Sequence, residues 1–152
     1  MPTLLSPHFT LEELTFSQVA ARQGIDNTAS PEIIENLKRV AAVLETVRTL
    51  LGGVAIHVNS GYRGTALNLA VNGSKTSAHM KGLAADFIAP AFGSVLEIAQ
   101  AIAASGIVFD QLIHEYGTWV HIGLAPDGVT PRRQLLSIFT GTGYLTGIVG
   151  NG

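Results

Sequence analysis

The stretch Ser74–Phe87 constrains the fold more than any other part of the sequence. Its first half is polar and contains Gly82, which is typical of a loop, whereas residues 83–88 form an apolar run typical of a short buried strand. His79 lies in the loop, and Asp86 lies inside the apolar run. A carboxylate in a buried strand is costly unless it is paired or bound to a metal ion. We therefore expect His79 and Asp86 to share a divalent cation.

A third ligand is available in the later segment 117–123, which contains His121. Three protein ligands and one position open to water define a catalytic zinc site rather than a structural one. The chain has no cysteine, so histidine and carboxylate must hold the metal. Taken singly, His79 is explained as a loop histidine, Asp86 as a salt-bridged aspartate and His121 as a hydrogen-bonded strand histidine. Together they favour one zinc ion bound by all three.

The pattern of apolar residues predicts an α+β fold. Capping boxes at Thr10–Glu13 and Ser94–Glu97 begin two helices, and Ser30 precedes a proline at the start of a long helix. The runs 108–116 and 119–124 alternate as two strands of a hairpin. Helices that precede and interrupt the strands favour an antiparallel sheet covered by helices.

Length and tail composition predict the domain organisation. A chain of 152 residues is expected to form a single catalytic domain, 1–152. Residues 141–152 are rich in glycine and small side chains, and we expect them and residues 1–8 to be less ordered tails.

Charge and hydropathy exclude two classes of partner. Charged residues make up 13% of the chain and the formal net charge is −2, so no basic face is available for nucleic acid. No segment offers the roughly 20 apolar residues that a membrane span requires. Residues 1–14 lack both the basic and the apolar regions of a signal peptide. We expect a monomer made in the cytoplasm without a signal peptide.

The general base depends on the register of the predicted hairpin. A three-residue turn centred on Thr118 is expected to place Glu115 opposite His121, on the metal face, with His114 on the other face. A two-residue turn is expected to place His114 opposite His121 instead. Sequence alone leaves the register open, because a slip of one residue exchanges the two faces. We predict that Glu115 is the base. The simpler alternative is that Glu115 is an exposed carboxylate of the hairpin without a catalytic role.

Several motifs resemble one known family of zinc peptidases. Residues 77–86 are similar to the pattern Ser-x-His-x-x-Gly-x-Ala-x-Asp, and Trp119-Val120-His121 resembles its distal partner. These motifs mark the zinc D-alanyl-D-alanine carboxypeptidase and L-alanyl-D-glutamate endopeptidase family, whose fold is shared with the hedgehog signalling domain. Segments 9–14, 24–28 and 60–63 extend the resemblance, which covers roughly residues 9–124.

The resemblance implies roles for individual residues. His79, Asp86 and His121 match the zinc ligands, and Arg63 and Ser77 match positions that contact the substrate. Without the resemblance, Arg63 is explained equally well as a surface residue. Many members carry their catalytic acid three residues before the last histidine, where this chain has Thr118. Members with Gln-Leu-Ile-x-Glu, here residues 111–115, use the glutamate of the preceding strand.

The resemblance also implies a function and a site of action. A zinc-dependent peptidase that cleaves the peptidoglycan stem peptide is expected, as in a phage endolysin that reaches the cell wall or periplasm after release. The bond cut is left open between an L-alanyl-D-glutamate endopeptidase and a D,D-peptidase or carboxypeptidase. The alternative from another class is a non-enzymatic zinc-binding domain, such as a phage structural part of the same fold.

Overall fold

A six-stranded sheet forms the centre of the protein, seen in a computed structural model that describes residues 3–74 and 76–150. The helices are α1 (Leu11–Thr15), α2 (Gln18–Gln23), α3 (Pro31–Leu50), α4 (Thr65–Ala70) and α5 (Val95–Ala103). The strands are β1 (Leu4–Ser6), β2 (Phe9–Thr10), β3 (His57–Ser60), β4 (Ala84–Ile88), β5 (Gln111–Glu115), β6 (Trp119–Gly123), β7 (Gln134–Ile138) and β8 (Leu145–Thr146).

The order of strands across the sheet is β3-β4-β6-β5-β7-β8. Neighbouring strands run antiparallel except β5 and β7, which run parallel. The expected α+β class is confirmed, but the sheet is not entirely antiparallel as expected, because it contains this parallel pair. The predicted caps are present: Thr10 and Ser94 each form a capping box, and Ser30 caps α3 ahead of a proline.

The two faces of the sheet have different environments. Side chains alternate between the faces of a strand, so every second residue points towards α3 and α5. Phe87 of β4, Leu112 of β5 and Ile122 of β6 are fully buried on this helical face and belong to the main core. The intervening residues, among them Asp86 and His121, line an open cleft on the other face. The helices therefore stabilise the sheet from one side and leave the second side for a site.

The hairpin between β5 and β6 has a register that differs from the predicted one. Glu115 pairs with Trp119, and Ile113 pairs with His121. The expected direct pairing of Glu115 with His121 is therefore wrong by two residues. The turn occupies residues 116–118, and its first two residues have φ of 57° and 64°, the combination that matches the twist of a hairpin. A shift of two residues preserves the face, so Glu115 and His121 still lie on the same side.

Both chain ends contain a strand. In the amino-terminal tail β1 pairs with β2, and in the carboxy-terminal tail β8 pairs with β7. The expected domain spans 1–152, of which residues 1, 2, 75, 151 and 152 lie outside the described residues. None of the described helices is both long enough and apolar enough to cross a membrane.

Candidate metal centre

His79, Asp86 and His121 converge at the base of the cleft. Asp86 on β4 and His121 on β6 are paired residues of adjacent strands, and Asp86 Oδ1 lies 2.9 Å from His121 Nδ1. His79 reaches the same oxygen from its loop, with Nε2 3.2 Å away. One ligand atom from each residue lies within 4.8 Å of the other two, and all three residues are buried. The three residues singled out in the sequence are thus brought together.

The loop that carries His79 is held in place by local contacts. Residues 78–81 form one 3-10 turn, which Ser77 caps by accepting a hydrogen bond from the His79 backbone N–H. Gly82 ends the turn with φ of 70°, and a Cβ at this position would lie 2.8 Å from Ile33. Only glycine suits both the left-handed backbone and the close approach of α3. The sequence of the loop therefore fixes where the histidine ring enters the cleft.

The tautomer of His79 supports a cation at this position. Its Nδ1 lies 2.7 Å from the carbonyl oxygen of Gly61, which can only accept, so Nδ1 carries the proton. In a neutral ring Nε2 then presents a lone pair to Asp86 Oδ1. Two acceptors 3.2 Å apart require a proton or a metal ion between them. Two imidazole nitrogens and a carboxylate oxygen are ligands that zinc prefers, so this donor set fits zinc.

Electrostatics favour the protonation states that a metal needs at His79 and Asp86. At His121 burial alone would lower the pKa, but the hydrogen bond to Asp86 and the charge of that carboxylate raise it. Burial lowers the pKa of His79, which keeps the ring neutral. Burial alone would raise the pKa of Asp86, but electrostatic attraction to His79 and hydrogen bonds with His121 and His79 hold that pKa well below its usual range. A deprotonated carboxylate and a neutral imidazole are the forms that bind metals.

Glu115 lies in the same cleft as the three ligands. Its Oε2 accepts a hydrogen bond of 2.5 Å from Trp119 Nε1, its neighbour across the hairpin. Burial raises the pKa of Glu115, and the negative charge of Asp86 adds to the shift. His121 is the diagonal neighbour of Glu115, and such pairs are typically about 7–8 Å apart. This spacing leaves room for a water molecule or a substrate atom between them.

Arg63 and Ser77 form a linked pair at one wall of the cleft. Arg63 Nη2 donates to Ser77 Oγ at 3.1 Å, and the Arg63 backbone N–H donates to the His79 carbonyl. The buried Nε of Arg63 has no hydrogen-bond partner among the described residues. Because Ser77 Oγ accepts from two donors, its own O–H is the group left to donate. Both side chains line the cleft, and the Ser77 hydroxyl is free to donate there.

His114 and Thr118 lie outside the cleft. His114 pairs with Val120 on the helical face, is 3% exposed, and has Nδ1 2.9 Å from the Val149 carbonyl. Thr118 is exposed in the hairpin turn. Of the alternatives for the base, Glu115 is therefore the residue that shares the cleft with the metal ligands.

Sequence reasoning missed two features of the cleft. The first is that the Trp119 indole is the donor that orients Glu115. The spacing of four residues between them could have indicated this contact, had the register been known. The second feature is the contribution of β7 and of Tyr144, which follow the predicted hairpin in the chain and line the cleft beyond β5.

An α+β domain with a buried His–Asp–His group in an open cleft has the architecture of a metallopeptidase. A comparison with protein families matches residues 7–123 to Peptidase M15, a family of zinc D-Ala-D-Ala carboxypeptidases. The chain therefore belongs to the Peptidase M15 family, which confirms the resemblance in the motifs. A comparison with curated proteins found no match.

Proposed function

We propose that this protein is a zinc-dependent peptidase that cleaves a peptide bond in the stem peptide of peptidoglycan. The observation that carries the proposal is the convergence of His79 Nε2, Asp86 Oδ1 and His121 Nδ1 in a cleft of about 780 Å³ that also contains Glu115. The Peptidase M15 assignment supports a metallopeptidase and the choice of zinc. An endolysin-like role in releasing phage from the cell, with the enzyme acting on the wall, is part of the same proposal.

His79, Asp86 and His121 would hold the metal through the three atoms that converge. Bound zinc would polarise the scissile carbonyl and lower the pKa of the attacking water towards about 7. Trp119 occupies Oε2 of Glu115, which leaves Oε1 to accept the proton of the attacking water. Glu115 then returns this proton to the departing amine. The raised pKa of Glu115 makes its carboxylate a stronger base. It also brings that pKa closer to neutral pH, where a general base is most effective.

Arg63 and Ser77 would hold the substrate beside this centre. Arg63 lines the cleft and supplies a positive charge, which suits a carbonyl or carboxylate of the peptide. Ser77 supplies its hydroxyl proton from the same wall.

Arg63→Ala should lower turnover of peptidoglycan by roughly 10- to 100-fold, the equivalent of about 1.5–3 kcal/mol for a hydrogen bond to a charged group. Zinc content should not change, because the side chain of Arg63 is not a ligand. Initial rates on purified peptidoglycan and elemental analysis measure the two quantities. Arg22→Ala, at an exposed arginine on α2, is the matched control. Equal rates for wild type and Arg63→Ala would show that Arg63 is not part of the site.

The proposed function is tested by digesting purified peptidoglycan and identifying the products by mass spectrometry. New amino and carboxyl termini within the stem peptide are expected, and their position identifies the bond. Addition of a chelator should stop the digestion, and zinc should restore it. Zinc binding without any cleaved product would support the alternative, a non-enzymatic zinc-binding domain of the same fold.

A further inference from the structure

The cleft extends past the metal centre onto residues that follow the matched family region. That region ends at residue 123, whereas β7 and Tyr144 come later in the chain and line the cleft. β7 adds to β5 in parallel, so that Gln111 pairs with Gln134 and Ile113 pairs with Leu136. Since alternate residues share a face, Gln134 and Leu136 continue the face that carries the metal ligands, and both line the cleft.

The two glutamines form a neutral hydrogen-bonding pair on this wall. Gln111 Nε2 donates to Gln134 Oε1 at 2.9 Å, and within residues 3–74 and 76–150 neither side chain makes another hydrogen bond. One contact between two amides always leaves one carbonyl oxygen and one NH₂ group with remaining capacity. The pair therefore offers an acceptor and a donor side by side, which is the complement of a peptide group.

Leu136 adds apolar surface next to the glutamines, and Tyr144 adds more beyond Leu136, at the end of β7 that is closer to Glu115. Both line the cleft, and Tyr144 is 61% exposed although its ring is large. The segment that carries Tyr144 is anchored, because Ser137 Oγ donates to the Gly147 carbonyl and accepts from the Val149 N–H. A tyrosine held at the rim of a cleft offers a large, rigid surface for a ligand at a small entropic cost.

Charges are distributed unevenly along the cleft. Arg63 and Lys81 lie at the side of β3 and β4, whereas Asp110 and Arg132 lie at the side of β7. Arg132 donates to both carboxylate oxygens of Asp110, at 3.0 and 2.8 Å, so the two opposite charges compensate each other. The β7 side therefore suits an uncharged part of a peptide, and the other side suits a carboxylate.

We propose that Gln111, Gln134, Leu136 and Tyr144 form a substrate subsite that binds a peptide residue away from the scissile bond. The glutamine pair binds its main-chain amide, and Leu136 and Tyr144 contact an aliphatic side chain. This inference rests on the proposed peptidase function. β7 lies two strands beyond β6, or about 10 Å at the usual strand spacing, which an extended peptide covers in about three residues.

A nested set of stem peptides, with one to four residues on each side of the cleaved bond, tests the subsite. For wild type, kcat/KM should rise about tenfold when the chain on one side reaches about three residues, since an aromatic–aliphatic contact and one buried hydrogen bond are together worth about 1.4 kcal/mol. Tyr144→Ala should lose the larger part of this gain, mainly through KM, because its ring takes no part in the cleavage of the bond. Gln134→Ala should lose the remaining part of the gain in kcat/KM, because it removes the hydrogen bond to the main-chain amide.

Leu145→Ala is the matched control, because Leu145 is the next residue, is 39% exposed and does not line the cleft. It should keep the length preference of wild type. If Tyr144→Ala and Gln134→Ala also keep the length preference of wild type, the proposed subsite is wrong. The proposed peptidase function still stands in that case, provided that wild type digests peptidoglycan.

Binding provides a second measurement that does not depend on turnover. Trp119 is the single tryptophan of the chain and lines the cleft, so its fluorescence reports occupancy. The longest peptides of the set should bind about fivefold more weakly to Tyr144→Ala than to Leu145→Ala, because the variant keeps the contribution of the glutamine pair. Equal affinities would overturn the subsite even if the protein failed to cleave peptidoglycan, a result that would reject the proposed function separately.

Discussion

Replacing His79, Asp86 or His121 by alanine should abolish both zinc binding and peptidase activity. Wild type should contain one zinc per chain. Each variant leaves two ligands in a chain that has no cysteine to replace the third. Elemental analysis after dialysis against a weak chelator measures the stoichiometry, and peptidoglycan digestion measures the activity.

The same loss should be visible in thermal stability. A ligand at about 1,000 times its dissociation constant stabilises the native state by about 4 kcal/mol. In a domain of this size that corresponds to a rise in Tm of about 8–16 °C on adding zinc. The three variants should show no such rise. His57→Ala, at an exposed histidine on β3, should bind zinc like wild type. Full zinc content in Asp86→Ala would contradict the three-ligand centre.

Glu115→Gln should retain zinc and lose activity by a factor of about 10²–10⁴, the usual contribution of general acid–base catalysis. Glutamine keeps the size of the side chain and still offers an oxygen to Trp119 Nε1, so the cleft should keep its shape. Its amide cannot accept a proton from the attacking water. Rates and zinc content are measured together, and both KM and kcat are reported, because the loss should appear in kcat.

Two control variants separate this effect from damage to the hairpin. Thr118→Ala changes the exposed turn residue at the position where many relatives carry the acid, and it should leave the rate nearly unchanged. His114→Gln should also change the rate little, because His114 lies on the helical face, away from the cleft. The Tm of His114→Gln should be measured together with its rate, because the His114 ring contacts Phe139 and the Val149 carbonyl on the helical face of the sheet. A large loss in either control with full activity in Glu115→Gln would refute the assignment of the base.

The register of the hairpin shows where sequence reasoning stopped. Alternation along β5 and β6 correctly placed Glu115 on the face of His121, because side-chain direction has a period of two residues and is a local property. The exact partner depends on the turn, and here Tyr116 adopts a left-handed backbone that a non-glycine residue seldom shows. The predicted partner was therefore wrong by two residues, although the predicted face was right.

By itself, the sequence determined the α+β class and the group of residues that converge as a candidate metal site. It could do so because helix caps, strand alternation and a carboxylate inside an apolar run are local signals with a physical cost. The tertiary structure alone decided that Trp119 holds Glu115 and that Gln134 and Tyr144 extend the cleft beyond the matched family region. These contacts depend on the pairing of β5 with β6 and β7, and pairing between strands is a long-range property that the pattern along one strand does not specify.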